Sequence, residues 1–181
     1  MEALIVVDMQ KDFCYPNGAL YIFGAEQIFE KTRKVIEAAR RKMKVIFTMD
    51  WHRRDDEEFR IWPRHCIMNT EGAEIVDELN PREEDYFVRK RRYSAFFGTD
   101  LDLTLREHNI DKVYICGVAT NICVLHTAAD AAIRGYKVSV IQDCTKTIGE
   151  YEQEYALKHM RNVFNAEIIS SKEFLSLLNS I

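Results

Sequence analysis

The sequence predicts an α/β protein, a doubly wound open parallel sheet flanked by helices, in one domain spanning residues 1–181. Three observations predict it. Short, continuous, β-branched apolar runs recur along the chain, as expected of strands inside a parallel sheet. The stretches between them carry apolar residues at helical spacing with Arg and Lys on the opposite face, as crossover helices do. No internal repeat or Pro/Gly/Ser-rich linker marks a second domain, and seven Gly and three Pro leave little loop-forming material for one.

The elements follow in order. Ala3 to Val7 reads as a buried first strand ending at Asp8. Its apolar run is far short of the roughly 20 residues of a membrane span, and it carries no basic leader or cleavage site, which predicts a cytoplasmic protein. Ile28, Phe29, Val35, Ile36 and Ala39 then share a helical face, and Val45 to Met49 forms the second strand. The segment Trp51 to Thr70, WHRRDDEEFRIWPRHCIMNT, breaks the alternation. So long an irregular stretch in a compact domain is functional or disordered, and its aromatic content argues for a loop that builds a site. Tyr86 to Val88 is the third strand; Leu101, Leu105 and Ile110 mark the next helix; Val113 to Val118, Val138 to Ile141 and Glu167 to Ile169 are the remaining strands. All six are expected to be buried on both faces.

Charge narrows the function classes. Twenty-nine acidic residues against 25 basic ones give a formal net charge of −4, with no long basic tract for a phosphate backbone. Neither a nucleic-acid nor a membrane partner is expected. The run Arg89 to Arg92, RKRR, reads as a mixed solvated face with one functional member. Cys14, Cys66, Cys116, Cys123 and Cys144 are an odd set without a CxxC pair, which predicts free thiols.

In an open parallel sheet, ligands bind beyond the carboxyl ends of the strands. Here those ends deliver Asp8, then Asp50 followed by His52, then Lys90, then GVAT leading into Asn121, Ile122 and Cys123. Each alone has an ordinary structural reading, a cap or an ion-pair partner for Asp8 and core packing for a cysteine. Their coincidence at one edge points to chemistry. Cys123 is expected about one turn into a helix opening at Thr120 or Asn121, where unpaired N–H groups and the macrodipole favour a thiolate. Cys116 and Cys144 read as core residues, and Cys14 and Cys66 as loop residues.

Asp50 and His52, at i and i+2 of an extended chain, face the same side and suit one metal, with His65 returning from the long loop as a third ligand. A loop with incidental histidines is the competing reading of that spacing. Glu58 and Asp56 are candidate further oxygen ligands, although in so acidic a run each reads first as a solvated charge. His126 is expected beneath the site, and His108 and His159 on solvated helix faces.

These residues resemble the cysteine-hydrolase superfamily of isochorismatases and nicotinamidases, and most closely its nicotinamidase branch. The resemblance rests on ALIVVDMQKDF, TMDWH, WPRHC with the following NTEGAE, KRRYSAFFGTDL and ICGVATNICVLHTAADA, nearly the whole chain. It implies a catalytic Asp8, Lys90 and Cys123, metal ligands Asp50, His52 and His65, and a cis peptide between Val118 and Ala119. It also implies an oxyanion site at the Ala119 and Cys123 N–H groups and substrate contacts from Phe13, Trp62, Tyr93, Val118 and Ala119. Many nicotinamidases carry a third histidine where this chain reads RRDDEE, which leaves Glu58 as the fourth ligand or none. Isochorismatase-type members generally lack both the nucleophilic Cys and the D-x-H motif, so their presence here implies an amidase.

The function expected is a nicotinamidase of NAD salvage, hydrolysing nicotinamide through a Cys123 thioester, with one divalent ion, zinc first and iron or manganese as alternatives. The resemblance suggests a homo-oligomer. A metal-free amidase for another small amide is the runner-up. A thiol redox or binding protein is a third reading, weakened because no second Cys is placed to resolve a disulfide with Cys123.

Overall fold

The computed structural model describes residues 1–179. Strands β1 (Glu2–Val7), β2 (Lys44–Asp50), β3 (Tyr86–Lys90), β4 (Lys112–Val118), β5 (Lys137–Lys146) and β6 (Glu167–Ile169) form one sheet in the order β3-β2-β1-β4-β5-β6. Every neighbouring pair is parallel. The helices are α1 (Lys11–Cys14), α2 (Phe29–Ala39), α3 (Leu101–Glu107), α4 (Leu125–Ile133), α5 (Glu150–Phe164) and α6 (Ser171–Asn179).

The two-residue period of β1 divides the core. Leu4 and Val6 pack with Val35, Ile36 and Ala39 of α2 and Phe174 and Leu178 of α6. Ala3, Ile5 and Val7 pack on the other face with Leu101 and Leu105 of α3, Ala128 and Ala131 of α4, and Ala156 and Met160 of α5. The chain thus winds one way from β1 to β3 and the other way from β4 to β6, leaving a topological switch between β1 and β4, where a crevice opens at the strand ends. Gly117 holds these two strands together, because at φ 113° an added Cβ would collide with the Val7 backbone.

The structure corrects several sequence expectations. The sheet margins are not buried on both faces: β3 buries only Val88 and Lys90, and β6 has no fully buried residue. An edge strand has a neighbour on one side only, which apolar content does not reveal. The fifth strand runs to Lys146 rather than ending at Ile141, resuming beyond an irregularity in its pairing with β4. Polar residues Gln142 and Asp143 conceal that continuation, which brings the chain to the site at Thr147. Ile110 is buried but lies beyond the end of α3. Cys14 closes the short α1 helix instead of lying in a loop, and the five thiols are free and buried.

Candidate active site

Three of the strands end on one buried cluster. Asp8 follows β1 at φ 50°, a left-handed conformation sparsely populated outside Gly, Asn and Asp. Its N–H donates to the Thr48 carbonyl at 3.2 Å, and Thr48 Oγ1 donates to Asp8 Oδ1 at 2.6 Å. Lys90 closes β3 in register with Asp50 at the end of β2. Its Nζ stands 2.7 Å from Asp8 Oδ2, in a tight ion pair with Asp50 Oδ1, and 3.5 Å from Cys123 Sγ, and it also donates to the Arg92 carbonyl at 3.0 Å. Lys90 therefore joins the acid of β1 to the thiol beyond β4. The Val118–Ala119 peptide that leads to that thiol is cis.

Cys123 lies in a wide helical turn, Thr120–Val124, that runs directly into α4. The helix-end placement holds, and burial works against the thiolate that it favours. Burial pushes the Cys123 thiol well above its ordinary range, Lys90 opposes that shift, and the charges of Asp8 and Asp50 add to it. Loss of the thiol proton is thus disfavoured by burial. Burial likewise raises Asp8, against the pull of the Lys90 ammonium, while Asp50 adds a further raising charge. Burial opposes the charge on Lys90, yet Asp50 and Asp8 outweigh it and hold the ammonium firmly protonated.

Beside this triad, one potential ligand atom from each of Asp50, His52, Glu58 and His65 lies within 4.8 Å of the others. His52 Nε2 is 3.4 Å from Asp50 Oδ2 and 3.9 Å from Glu58 Oε1, and His65 Nε2 is 3.6 Å from Asp50 Oδ2. The long loop reaches this point because it is pinned to α1 and the residue that precedes it. The Gln10 amide bonds both backbone groups of Asp50 and the Ala73 carbonyl, each at 2.8 Å, and Asp12 Oδ2 accepts the Cys66 N–H at 2.7 Å. His65 Nδ1 donates to the Pro63 carbonyl at 2.7 Å, which turns the Nε2 lone pair towards Asp50.

This group fits a divalent cation. Both buried ring nitrogens of His52 and Glu58 Oε2 have no hydrogen-bond partner, and at Nε2 and the carboxylate a metal would relieve that costly state. Three buried acids, Asp8, Asp50 and Glu58, gather around one buried lysine, and a divalent cation would offset their charge. Asp56 and Glu58 are buried rather than solvated, because a short helical turn, Glu57–Arg60, folds both inward.

A cavity of about 270 Å³ opens beside Cys123. Phe13, Trp62 and Tyr93 line it as expected, and the Trp62 indole donates to the Tyr93 hydroxyl at 3.0 Å. Ala119, Asp50, Glu58 and His65 also reach it. Val118 does not; it packs in the core beneath. His126 lies on the exposed face of α4, with its ring against Tyr93, and not under the site. Half-buried His108 takes a 2.8 Å hydrogen bond with the Tyr86 hydroxyl, and His159 stacks on Tyr155, so neither is simply solvated.

Sequence reasoning missed Thr48, whose signal was a lone hydroxyl in the apolar run KVIFTMD, and Gln10, two residues beyond Asp8. It also missed Leu20, Ile22, Ile148 and Glu152 at the cavity, which carry no local signal.

The fold and the known relatives define a hydrolase acting on amide bonds. The Isochorismatase domain family matches residues 2–173, and the chain belongs to that family. It is 32% identical to the nicotinamidase of Escherichia coli K12, over 86% of this chain and 87% of the relative. Among solved structures, the pyrazinamidase of Pyrococcus horikoshii in complex with zinc superposes with a TM-score of 0.88 at 39% identity, covering 93% of this chain and 98% of the other. The N-carbamoylsarcosine amidase of Thermoplasma acidophilum does so at 0.85 and 38%, covering 94% and 96%. These likenesses are consistent with the nicotinamidase branch of the superfamily.

Proposed function

We propose that the protein is a nicotinamidase, converting nicotinamide and water to nicotinate and ammonia, with Asp8, Lys90 and Cys123 as its catalytic residues. The observation that carries this reading is Lys90 Nζ placed at once against Asp8, Asp50 and Cys123, the last two of which line a cavity walled by Phe13, Trp62 and Tyr93. Asp8 takes the proton of the Cys123 thiol as the sulfur attacks the carboxamide carbon. Backbone N–H groups of Ala119 and Cys123 receive the developing oxyanion. Asp8 then returns its proton to the departing nitrogen, the C–N bond breaks, and ammonia leaves a thioester on Cys123. Water attacks the thioester carbon, giving one proton to Asp8; the C–S bond breaks, Asp8 returns that proton to the sulfur, and the acid released ionises to nicotinate. Lys90 keeps Asp8 oriented and balances its charge throughout.

Asp50, His52, Glu58 and His65 would hold a divalent metal ion, zinc before iron or manganese. When bound, such an ion supplies a Lewis acid for the pyridine nitrogen of the ring. Phe13 and Trp62 would flank the ring plane. The nicotinamidase relative and the zinc-bound pyrazinamidase support this reading.

A second reading is a different small amide as substrate. The likeness to an N-carbamoylsarcosine amidase favours it, and Leu20, Ile22 and Ile148 add an apolar lining to the cavity. Ammonia release and nicotinate formation, measured on nicotinamide and a panel of small amides, decide between the two. No turnover of nicotinamide beside rapid turnover of another amide would replace the first reading with the second.

A further inference from the structure

Asp56 is a buried acid outside the cavity lining. Its Oδ2 stands 3.2 Å from His52 Nδ1, the ring nitrogen opposite the one that faces Asp50 and Glu58. The same carboxylate accepts Arg91 Nε at 2.7 Å and Arg92 Nη1 at 3.1 Å, and its Oδ1 accepts the Glu58 N–H at 3.2 Å. One side chain therefore touches the ring of one candidate ligand and holds the backbone of another. Two arginines from the segment that follows Lys90 neutralise it.

We propose that Asp56 is a positioning residue: it keeps the proton of neutral His52 on Nδ1, and thereby sets the affinity of the Asp50, His52, Glu58 and His65 cluster for a divalent cation. The cation part rests on the metal-dependent reading above. A neutral imidazole has one N–H and one lone pair, and an acceptor beside one nitrogen leaves the other free to ligate. His52 is pulled both ways, because Asp50 Oδ2 and Glu58 Oε1 lie 3.4 and 3.9 Å from Nε2 and would draw the proton to the wrong atom. Asp56, closer and backed by Arg91 and Arg92, opposes them. His65 solves the same problem with a backbone acceptor, the Pro63 carbonyl. Both imidazoles thus have an oxygen facing Nδ1: for His65 a hydrogen-bonded carbonyl, and for His52 a carboxylate at ion-pair distance that makes no hydrogen bond to the resting ring.

Two measurements test the assignment. In metal-free protein at alkaline pH, where the rings are neutral, nitrogen-15 NMR should report His52 as the Nδ1–H form in wild type and a shift towards Nε2–H in Asp56→Ala. In chelator competition with zinc alone, Asp56→Asn should weaken binding by about 10- to 100-fold, and Arg91→Gln by less. Thermal unfolding of the metal-free variants checks their folding; if Asp56→Ala does not fold, Asp56→Asn serves in both measurements. An unchanged tautomer together with an unchanged zinc constant overturns the role of Asp56. Wild-type protein that takes up no zinc removes the metal reading instead, and the tautomer still decides whether Asp56 sets the ring.

Discussion

Lys90 Nζ lies 2.7 Å from Asp8 Oδ2, and both side chains are sealed from solvent. This contact joins β3 to the end of β1 although β2 lies between them in the sheet. Removing one member of a buried ion pair leaves an uncompensated charge, at a cost of about 3–5 kcal/mol. Lys90→Met should therefore lower the unfolding free energy by about that amount, measured by denaturant titration, and abolish turnover. A variant of unchanged stability would show that Asp8 and Asp50 do not depend on the ammonium.

Cys123→Ala should reduce amide turnover by at least about 10³-fold with little change in the thermal midpoint. Mass spectrometry of wild-type protein quenched during turnover should show an acyl adduct on the peptide containing Cys123. Substantial activity in the alanine variant would falsify the thioester route.

Asp8 acts as a base only when ionised, and burial raises its folded-state pKa. The acidic limb of kcat/KM should therefore lie above the ordinary carboxylate value of about 4. The Thr48 hydroxyl donates to the Asp8 carboxylate and favours its charged form. Thr48→Val removes that donor, so Asp8 should hold its proton to higher pH and the limb should move in the alkaline direction. A limb that stays in place in Thr48→Val means that another group sets it.

Protein purified without chelator should carry about one divalent metal per chain by elemental analysis, and His65→Ala and Glu58→Gln should each lower that occupancy. Removing the ion should suppress nicotinamide hydrolysis, and adding zinc back should restore it. Full activity in metal-free protein would favour the metal-free amidase.

If the ligand cluster chiefly anchors the pyridine nitrogen, His52→Ala should raise KM more than it lowers kcat, because a contact made equally in ground and transition states affects binding alone. Benzamide lacks that nitrogen, so wild-type protein should handle it poorly and His52→Ala should narrow the gap. Loss of kcat alone, equal for both amides, would assign the cluster to the chemical step.

Asp8, Asp50, Lys90 and Cys123 were readable from the sequence because each stands at or just beyond a strand end, and a parallel sheet collects its strand ends along one edge. That rule needs only local periodicity, so the strand pattern was enough to pick them out. Burial of the loop was not local. Asp56 and Glu58 sit in an acidic run that reads as solvated, whereas the Glu57–Arg60 turn buries them in a loop held by Asp12, with His52 and two arginines against Asp56. The protonation of Cys123 was likewise decided by tertiary structure. A helix end favours a thiolate, but burial beside Asp8 and Asp50 raises the thiol, a shift that comes from the surroundings of the sulfur and not from its place on the helix. The far wall of the cavity, Ile148 and Glu152, depends on β5 continuing past its pairing irregularity, and no periodicity in Gln142 to Lys146 announces that path. Contacts between segments distant in sequence decide such features, since the energy that fixes them resides in partners that a local pattern does not contain.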